Sequence, residues 1–336
     1  MNDEYLWDRS GKADPEIAEL ERILRPLAHD GRPLPLEDAA RRRRPSWTWR
    51  AAIPSLPLAA SVCLMVASAW SGASRSPGGW MVETLEGEPR IGREAIGRIV
   101  RLGPGDRLDT DQRSRARLTL DGIGTVDIGP GSRVRRPPSR AGAIRLLLDS
   151  GSLDATISAA PGVFSVDTPA ARAVDLGCTY TLEVDASGAG VLHVTLGWVG
   201  LQWKGRESLV PAGAICATRS AQGPGTPYFE GASPEFIRAV SVLDDGLEAE
   251  RAAAVTILVA HARPLDAITL WHLLTRQDPA TAARIYDRLA VLMPPPASVR
   301  KDRVLRGDPP ALGAWWQALG LGDLGELRKG LRGSYR

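Results

Sequence analysis

The sequence holds three cysteines (Cys63, Cys178 and Cys216) and four histidines, the residue types best suited to nucleophilic, redox or metal chemistry. The cysteines form no Cys-x-x-Cys pair, which argues against a structural zinc site. His193 falls in an apolar strand pattern and is expected to be a packed or edge residue, not a base. Since the remaining histidines are scattered, the sequence predicts no metal and no cofactor.

Glycine-rich and acidic groupings are the other candidates for catalysis. The stretches GPGDRL and GPGSRV lack the lysine and the strand-to-helix setting of a phosphate-binding loop. The neighbouring carboxylates Asp244 and Asp245 are expected to be solvated charges at a helix end. A catalytic triad assembles only in space, so a hydrolase stays open at this level. The residues nevertheless favour a protein that is not an enzyme.

Composition bounds the class of partner. The chain has 336 residues with 26 prolines and 35 glycines, which indicates many turns and room for two domains. Its net charge of only +3 produces no strong field. Direct nucleic-acid binding is therefore not expected.

Residues 41–70, RRRRPSWTWRAAIPSLPLAASVCLMVASAW, set four arginines against a long uncharged run. A run of about 20 apolar residues is the length that crosses a bilayer, and tryptophans at both ends suit the headgroup zone. The alternatives are a buried core helix or a signal peptide, and no clear cleavage site follows. The sequence predicts a transmembrane helix over 51–71.

Arginine counting predicts the orientation of that helix. The residues Arg41, Arg42, Arg43 and Arg44 precede the predicted span, and few positive charges follow it. Positive residues stay on the cytoplasmic side of a membrane. We therefore expect residues 1–46 in the cytoplasm and the larger part of the chain to be exported.

The predicted cytoplasmic segment carries one amphipathic helix. Asp14 and Pro15 are suited to the N-cap and the first helical position. The apolar residues that follow at helical spacing are Ile17, Leu20, Leu24 and Leu27. A single short helix is only marginally stable in water, so this apolar stripe needs a partner that covers it. A protein partner and an idle stub are the two interpretations left open.

The sequence pattern of residues 80–222 is typical of a β domain. In ARLTLDGIGTVDIGPGSRVR, apolar residues alternate on both sides of Asp121-Gly122, a strong hairpin signal. Similar short runs continue at turns every eight to twelve residues, which is typical of an all-β sandwich or roll.

The segments LGPGDRLDT, LTLDGIGTVDIGPGSRVR and VDTPAARAVDLGCTYTLEVD, followed by GVLHVTLGWVGLQ, resemble the FecR domain over roughly residues 80–222. The resemblance implies a cytoplasmic anti-sigma segment, one membrane helix and a periplasmic β domain in the bacterial inner membrane. It also implies two partners: an exported or outer-membrane protein, and an extracytoplasmic-function sigma factor. On this basis the sigma-binding residues would be Trp7, Ile17, Leu20, Leu24 and Leu27.

Cys178 and Cys216 lie on two predicted strands of the exported region. An oxidising compartment favours a disulfide between them, which would contribute about 3–4 kcal/mol if unstrained. The alternative is a pair of buried thiols that act as small apolar residues.

Residues 232–336 switch to helical signals. Ser233-Pro234 and Asp278-Pro279 each read as an N-cap followed by the first helical residue. Successive short helices predict a HEAT-like stack of helical hairpins. Trp315 and Trp316 are expected to close its core, or else to form a binding patch.

Two functions from different classes follow. The first is a FecR-like transmembrane regulator that senses a partner outside and modulates a sigma factor inside. The second is a membrane-anchored envelope scaffold without sigma regulation. The helix stripe in residues 5–28 separates them, because only a regulator needs it.

Overall fold

The computed structural model describes residues 79–138 and 144–333, which form first strands and then helices. The strands are β1 (Trp80–Glu86), β2 (Arg90–Ile91), β3 (Glu94–Ala95), β4 (Ile99–Arg101), β5 (Arg107–Asp109), β6 (Arg115–Leu120), β7 (Gly124–Ile128), β8 (Arg133–Arg135), β9 (Ile144–Ile157), β10 (Phe164–Asp167), β11 (Arg172–Asp175), β12 (Thr179–Val184), β13 (Gly190–Leu196), β14 (Trp198–Trp203), β15 (Arg206–Pro211), β16 (Ala214–Arg219), β17 (Gly223–Pro224) and β18 (Tyr228–Phe229).

The hairpin of β6 and β7 shows why these residues form strands. Along β6 every second side chain is buried, so one face meets the core and the other meets water. Gly122 turns the chain with φ +70°, a conformation that glycine adopts without penalty. The two strands pair antiparallel from Ala116 with Ile128 to Leu120 with Gly124. The predicted Asp121-Gly122 hairpin is confirmed.

Strand β9 joins the strands into one large sheet. Its first half pairs with β8 and β10, and its second half with β7 and β12. Gly151 lies between the two halves with φ +97°, and a Cβ there would approach the Ser132 Cα to 2.3 Å. The pairing of β9 with β10 is parallel, whereas the others are antiparallel. The sheet is therefore large and mixed.

The sheet folds around an apolar core to which most strands contribute. Phe164, Leu118, Leu153 and Leu182 are almost inaccessible to solvent, and Tyr180 lies among them. Full burial of such a side chain contributes about 1.5–3 kcal/mol. Because the core draws on strands far apart in the chain, it fixes the relative positions of the loops between them.

The helices follow the last strand. They are α1 (Pro234–Asp245), α2 (Glu248–His261), α3 (Ala267–Leu274), α4 (Pro279–Leu292), α5 (Lys301–Leu305), α6 (Pro309–Ala318) and α7 (Leu324–Gly333). Ser233 Oγ accepts a hydrogen bond from the Phe236 amide, and Asp278 caps α4 in the same way. Both predicted N-caps, each followed by proline at the start of the helix, are thus confirmed.

Helix α7 lies directly on the sheet. Leu331 fills the space above Gly200 on β14, where a Cβ would come within 1.9 Å of a Leu331 methyl carbon. Gly162 approaches the Gly330 carbonyl similarly closely. Arg328 Nε donates to Glu207 Oε1 at 2.9 Å. The strands and the helices belong to a single compact unit, and glycines allow their close approach.

The predicted fold class included a transmembrane helix, and that part needs correction. Among the residues that the structure describes, no helix combines the length and the apolar character needed to span a bilayer. What it shows is a large mixed β-sheet followed by helices. Residues 51–71, where the span was predicted, lie outside the described ranges. The proposed division into domains 1–46, 80–222 and 232–336 stays a prediction.

Candidate functional site

The residues predicted to bind a cytoplasmic partner lie outside the described ranges. They are Trp7, Ile17, Leu20, Leu24 and Leu27. The arginines predicted to set the topology, Arg41 to Arg44, also lie outside them. The candidate sites considered below are therefore those of residues 79–138 and 144–333.

Cys178 and Cys216 are both buried free thiols. Cys178 donates its S–H to Asp175, and Cys216 Sγ lies 3.3 Å from the Gly225 carbonyl. The disulfide predicted between them is not formed in this structure. The alternative interpretation, two buried thiols that pack as small apolar groups, describes them better.

Strand order explains the separation of the two thiols. Leu182 on β12 pairs with Leu192 on β13, which in turn pairs with Cys216 on β16. Cys178 therefore lies two strands away from Cys216 and several residues further along, roughly 15 Å distant. A disulfide requires Cα atoms within about 7 Å. The sequence predicted a strand at each cysteine, but Cys178 lies directly before β12. No local pattern shows that β13 lies between β12 and β16.

Asp175 forms a small buried polar cluster with Cys178 beneath the turn that joins β11 to β12. Its Oδ1 accepts from the Gly177 amide at 2.8 Å, and the Cys178 thiol donates to its other oxygen. Burial raises the pKa of Asp175 from 3.8 to about 6, although these hydrogen bonds oppose the rise. Burial also raises the pKa of the Cys178 thiol, which makes it a poor nucleophile. The cluster is suited to holding the turn, not to catalysis.

A second buried cluster joins the sheet to the helices around Asp244. Arg206 Nη2 donates to Asp244 Oδ1 at 2.9 Å, and the Thr226 amide and hydroxyl donate to the same carboxylate. Arg276 lies 3.9 Å from Asp244 and donates to Thr226 Oγ1 and to the Glu207 carbonyl. The Asp244 side chain is only 4% exposed. Asp244 is thus a buried ion-pair partner, which corrects its interpretation as a solvated helix-end charge.

Aromatic side chains extend the contact between sheet and helices. The Trp316 ring lies 5.7 Å from Trp198 on β14 and 4.7 Å from Trp271 on α3, measured between ring centroids. His272 Nε2 lies 3.2 Å from the Leu209 carbonyl of β15. Trp315 and Trp316 are fully buried, which confirms the expectation that they close a core. The helices therefore cover the β15 side of the sheet.

The histidines of the described part show no arrangement for metal chemistry. No group of three or more histidine, cysteine or acidic side chains in residues 79–138 and 144–333 could hold a metal ion. His193 is partly exposed and its Nε2 lies 2.9 Å from Glu230 Oε1. Burial lowers the pKa of His272 well below its usual value, and nearby Arg276 adds to this effect. His272 is therefore neutral and structural.

Strand β4 forms an open edge of the sheet. It pairs with β1, with Val82 opposite Val100, and no other described strand pairs with it. The chain from residue 97 to residue 101 is exposed throughout. Ile99 is 56% and Val100 37% exposed, although both are apolar. Nothing in the local sequence separates this strand from a buried one, because Ile-Val is also typical of a sheet interior.

Comparison with known families bears on the strands just described. Residues 106–199 match the family model described as FecR protein. The resemblance seen in the sequence is confirmed. The matched segment, here called the FecR region, runs from the start of β5 to β14 and contains most of the apolar core. Strand β4 and the described helices α1 to α7 lie outside the FecR region.

Two solved structures from Parabacteroides distasonis ATCC 8503, at 1.65 Å and 2.50 Å resolution, also match. Both are of a protein proposed to be an anti-sigma factor. Each is 13% identical to this chain, with TM-scores of 0.32 and 0.33 and 40% of this chain covered. The match spans 63% and 62% of those chains, less than two thirds of their length. A comparison with curated proteins gave no match.

Proposed function

We propose that this protein is a FecR-like regulator that couples the binding of a protein by its β region to the control of a sigma factor by its N-terminal segment. The observation that supports this most is the FecR match over residues 106–199. The binding partner of the β region would be an exported or outer-membrane protein. The N-terminal stripe of Ile17, Leu20 and Leu24 would contact the sigma factor.

The chemistry of the described residues supports binding in preference to catalysis. Burial raises the pKa values of the Cys178 and Cys216 thiols, so neither is a ready nucleophile. Asp175 and Asp244 hold turns and helices in place. A role in recognition needs only an exposed surface on a rigid frame, and the joined sheet and helices form such a frame.

Affinity capture with the full tagged chain tests the sigma-factor contact. We expect the native chain to retain a sigma factor from host lysate. A variant with Ile17→Ser, Leu20→Ser and Leu24→Ser is expected to retain at least tenfold less, because it removes the apolar stripe of the predicted helix.

The matched control replaces Glu16, Glu19 and Arg22 by serine, on the polar positions of the same helix. It should capture as much sigma factor as the native chain. Equal capture by both variants, or no sigma factor in any eluate, would contradict the proposal and would favour the envelope scaffold instead.

A further inference from the structure

Two edge strands of the sheet, β15 and β4, differ in what covers them. On the β15 side, helices and the Asp244 cluster cover the strand, with Arg276 donating to the Glu207 carbonyl of β15. At the β4 edge, by contrast, no described residue covers the strand, and residues 97–101 are exposed. Proteins normally blunt such an edge because it can pair with another chain. This edge retains two exposed β-branched residues, Ile99 and Val100.

The backbone of β4 has free hydrogen-bonding groups on its outer side. The Arg98 carbonyl accepts from the Thr84 amide at 3.2 Å, and the Leu102 amide donates to the Trp80 carbonyl at 2.9 Å. Backbone groups alternate in direction along a strand. The amides and carbonyls of Ile99 and Arg101 therefore point away from β1, where an added strand would meet them.

Two arginines bracket the apolar pair. In the sequence Arg98-Ile99-Val100-Arg101, both arginines are exposed, and neither forms a salt bridge with a described residue. Opposite charges placed across neighbouring strands stabilise the pair, whereas like charges destabilise it. The edge therefore favours a strand with acidic residues at the two matching positions.

From these observations we infer that β4 is a docking edge for an extended segment of another protein, in which two acidic residues bracket two apolar β-branched residues. The segment adds to the sheet as a further strand beside Ile99 and Val100. The inference rests on the proposed function only in taking this segment to belong to the protein that the β region senses. The edge lies outside the FecR region.

A second copy of this chain is a poor occupant of the same edge. The outward amides and carbonyls belong to Ile99 and Arg101, so an antiparallel pair of β4 strands must centre its twofold axis on Ile99 or on Val100. In either register no acidic side chain of the second copy lies opposite Arg98 or Arg101. Charge thus selects a different, acidic partner.

Peptide binding to the full chain tests the inference. The probe is a fluorescein-labelled, capped peptide of sequence Thr-Glu-Val-Val-Glu-Thr, and its matched control is Thr-Lys-Val-Val-Lys-Thr. Fluorescence anisotropy at low salt is expected to show at least tenfold tighter binding of the acidic peptide. Binding should also slow hydrogen exchange at the amides of Ile99 and Arg101, since these would donate to the added strand.

Three variants distinguish strand pairing at the β4 edge from nonspecific electrostatic binding of the peptide. The Arg98→Glu/Arg101→Glu variant should reverse the preference, so that the lysine peptide binds more tightly. The Ile99→Pro variant removes one outward amide while keeping the bonds to β1, and should lose at least tenfold in affinity. The control Arg238→Glu/Arg332→Glu, on exposed helix positions, should bind as the native chain does.

Equal binding of the two peptides, or a preference that the Arg98→Glu/Arg101→Glu variant does not reverse, would overturn the inference. Since the readout is direct binding to the edge, it does not depend on sigma-factor control. If the chain captured the sigma factor but did not bind the acidic peptide, only the inference of a docking edge would be contradicted. If the chain bound the acidic peptide but did not capture a sigma factor, the proposed function would be contradicted and the inference of a docking edge would stand.

Discussion

Replacing Asp244 by alanine is expected to destabilise the protein by about 3–5 kcal/mol, because it leaves the buried Arg276 guanidinium without its carboxylate. Arg276 is 11% exposed and lies 3.9 Å from Asp244. Arg206, at 2.9 Å, loses the same partner. Urea unfolding followed by circular dichroism measures the change. The double variant Asp244→Ala/Arg276→Met should recover part of the loss, since it removes the uncompensated charge as well.

The matched control for this prediction is Asp149→Ala. Asp149 accepts two hydrogen bonds from Arg135 at 2.8 Å, but both side chains are substantially exposed. An exposed pair of this kind contributes less than about 1 kcal/mol. If Asp244→Ala changed stability as little as Asp149→Ala, the buried cluster would not hold the helices against the sheet.

Replacing Asp175 by asparagine is expected to stabilise the protein by up to about 3 kcal/mol at neutral pH. Burial raises the pKa of Asp175 from 3.8 to about 6, so its charged form is disfavoured in the folded state. Between pH 3.8 and about 6, Asp175 therefore keeps its proton in the folded state and has lost it in the unfolded state. The contribution of Asp175 to stability is fully present below pH 3.8 and is lost as the pH rises to about 6. Asparagine keeps an acceptor for the Gly177 amide and does not titrate.

Urea unfolding of native protein and Asp175→Asn across the acidic range checks this. The difference in unfolding free energy should grow from near zero at pH 3.5 to its full value above pH 6. Asp185→Asn is the control with the opposite sign, because hydrogen bonds from Ser187 lower the pKa of the exposed Asp185. If the difference in unfolding free energy between the native protein and Asp175→Asn stayed constant with pH, burial would not raise the pKa of Asp175.

Local signals in the sequence predicted local features well. The Asp121-Gly122 turn and the Ser233 and Asp278 caps each depend on a few neighbouring residues, and all three are present. The two tryptophans of α6 are buried as expected. Such features are decided within one turn of the chain, so residue type and spacing suffice.

Features set by distant contacts were not predictable in this way. The separation of Cys178 from Cys216 depends on β13 lying between β12, which begins directly after Cys178, and β16. The burial of Asp244 depends on Arg206 and Arg276, which are far from it in the chain. The open edge at β4 depends on strand order, since no described strand other than β1 pairs with it. Each outcome follows from topology that no local pattern specifies.

We propose that this chain regulates transcription through the helix predicted in its N-terminal segment. Transcript abundance in the native host tests it most directly, with the gene deleted or replaced by the Ile17→Ser/Leu20→Ser/Leu24→Ser variant. The proposal predicts that both strains change the same set of sigma-dependent transcripts, while the Glu16→Ser/Glu19→Ser/Arg22→Ser control matches the native strain. Transcripts unchanged by deletion, or changed by deletion but not by the helix variant, would contradict it.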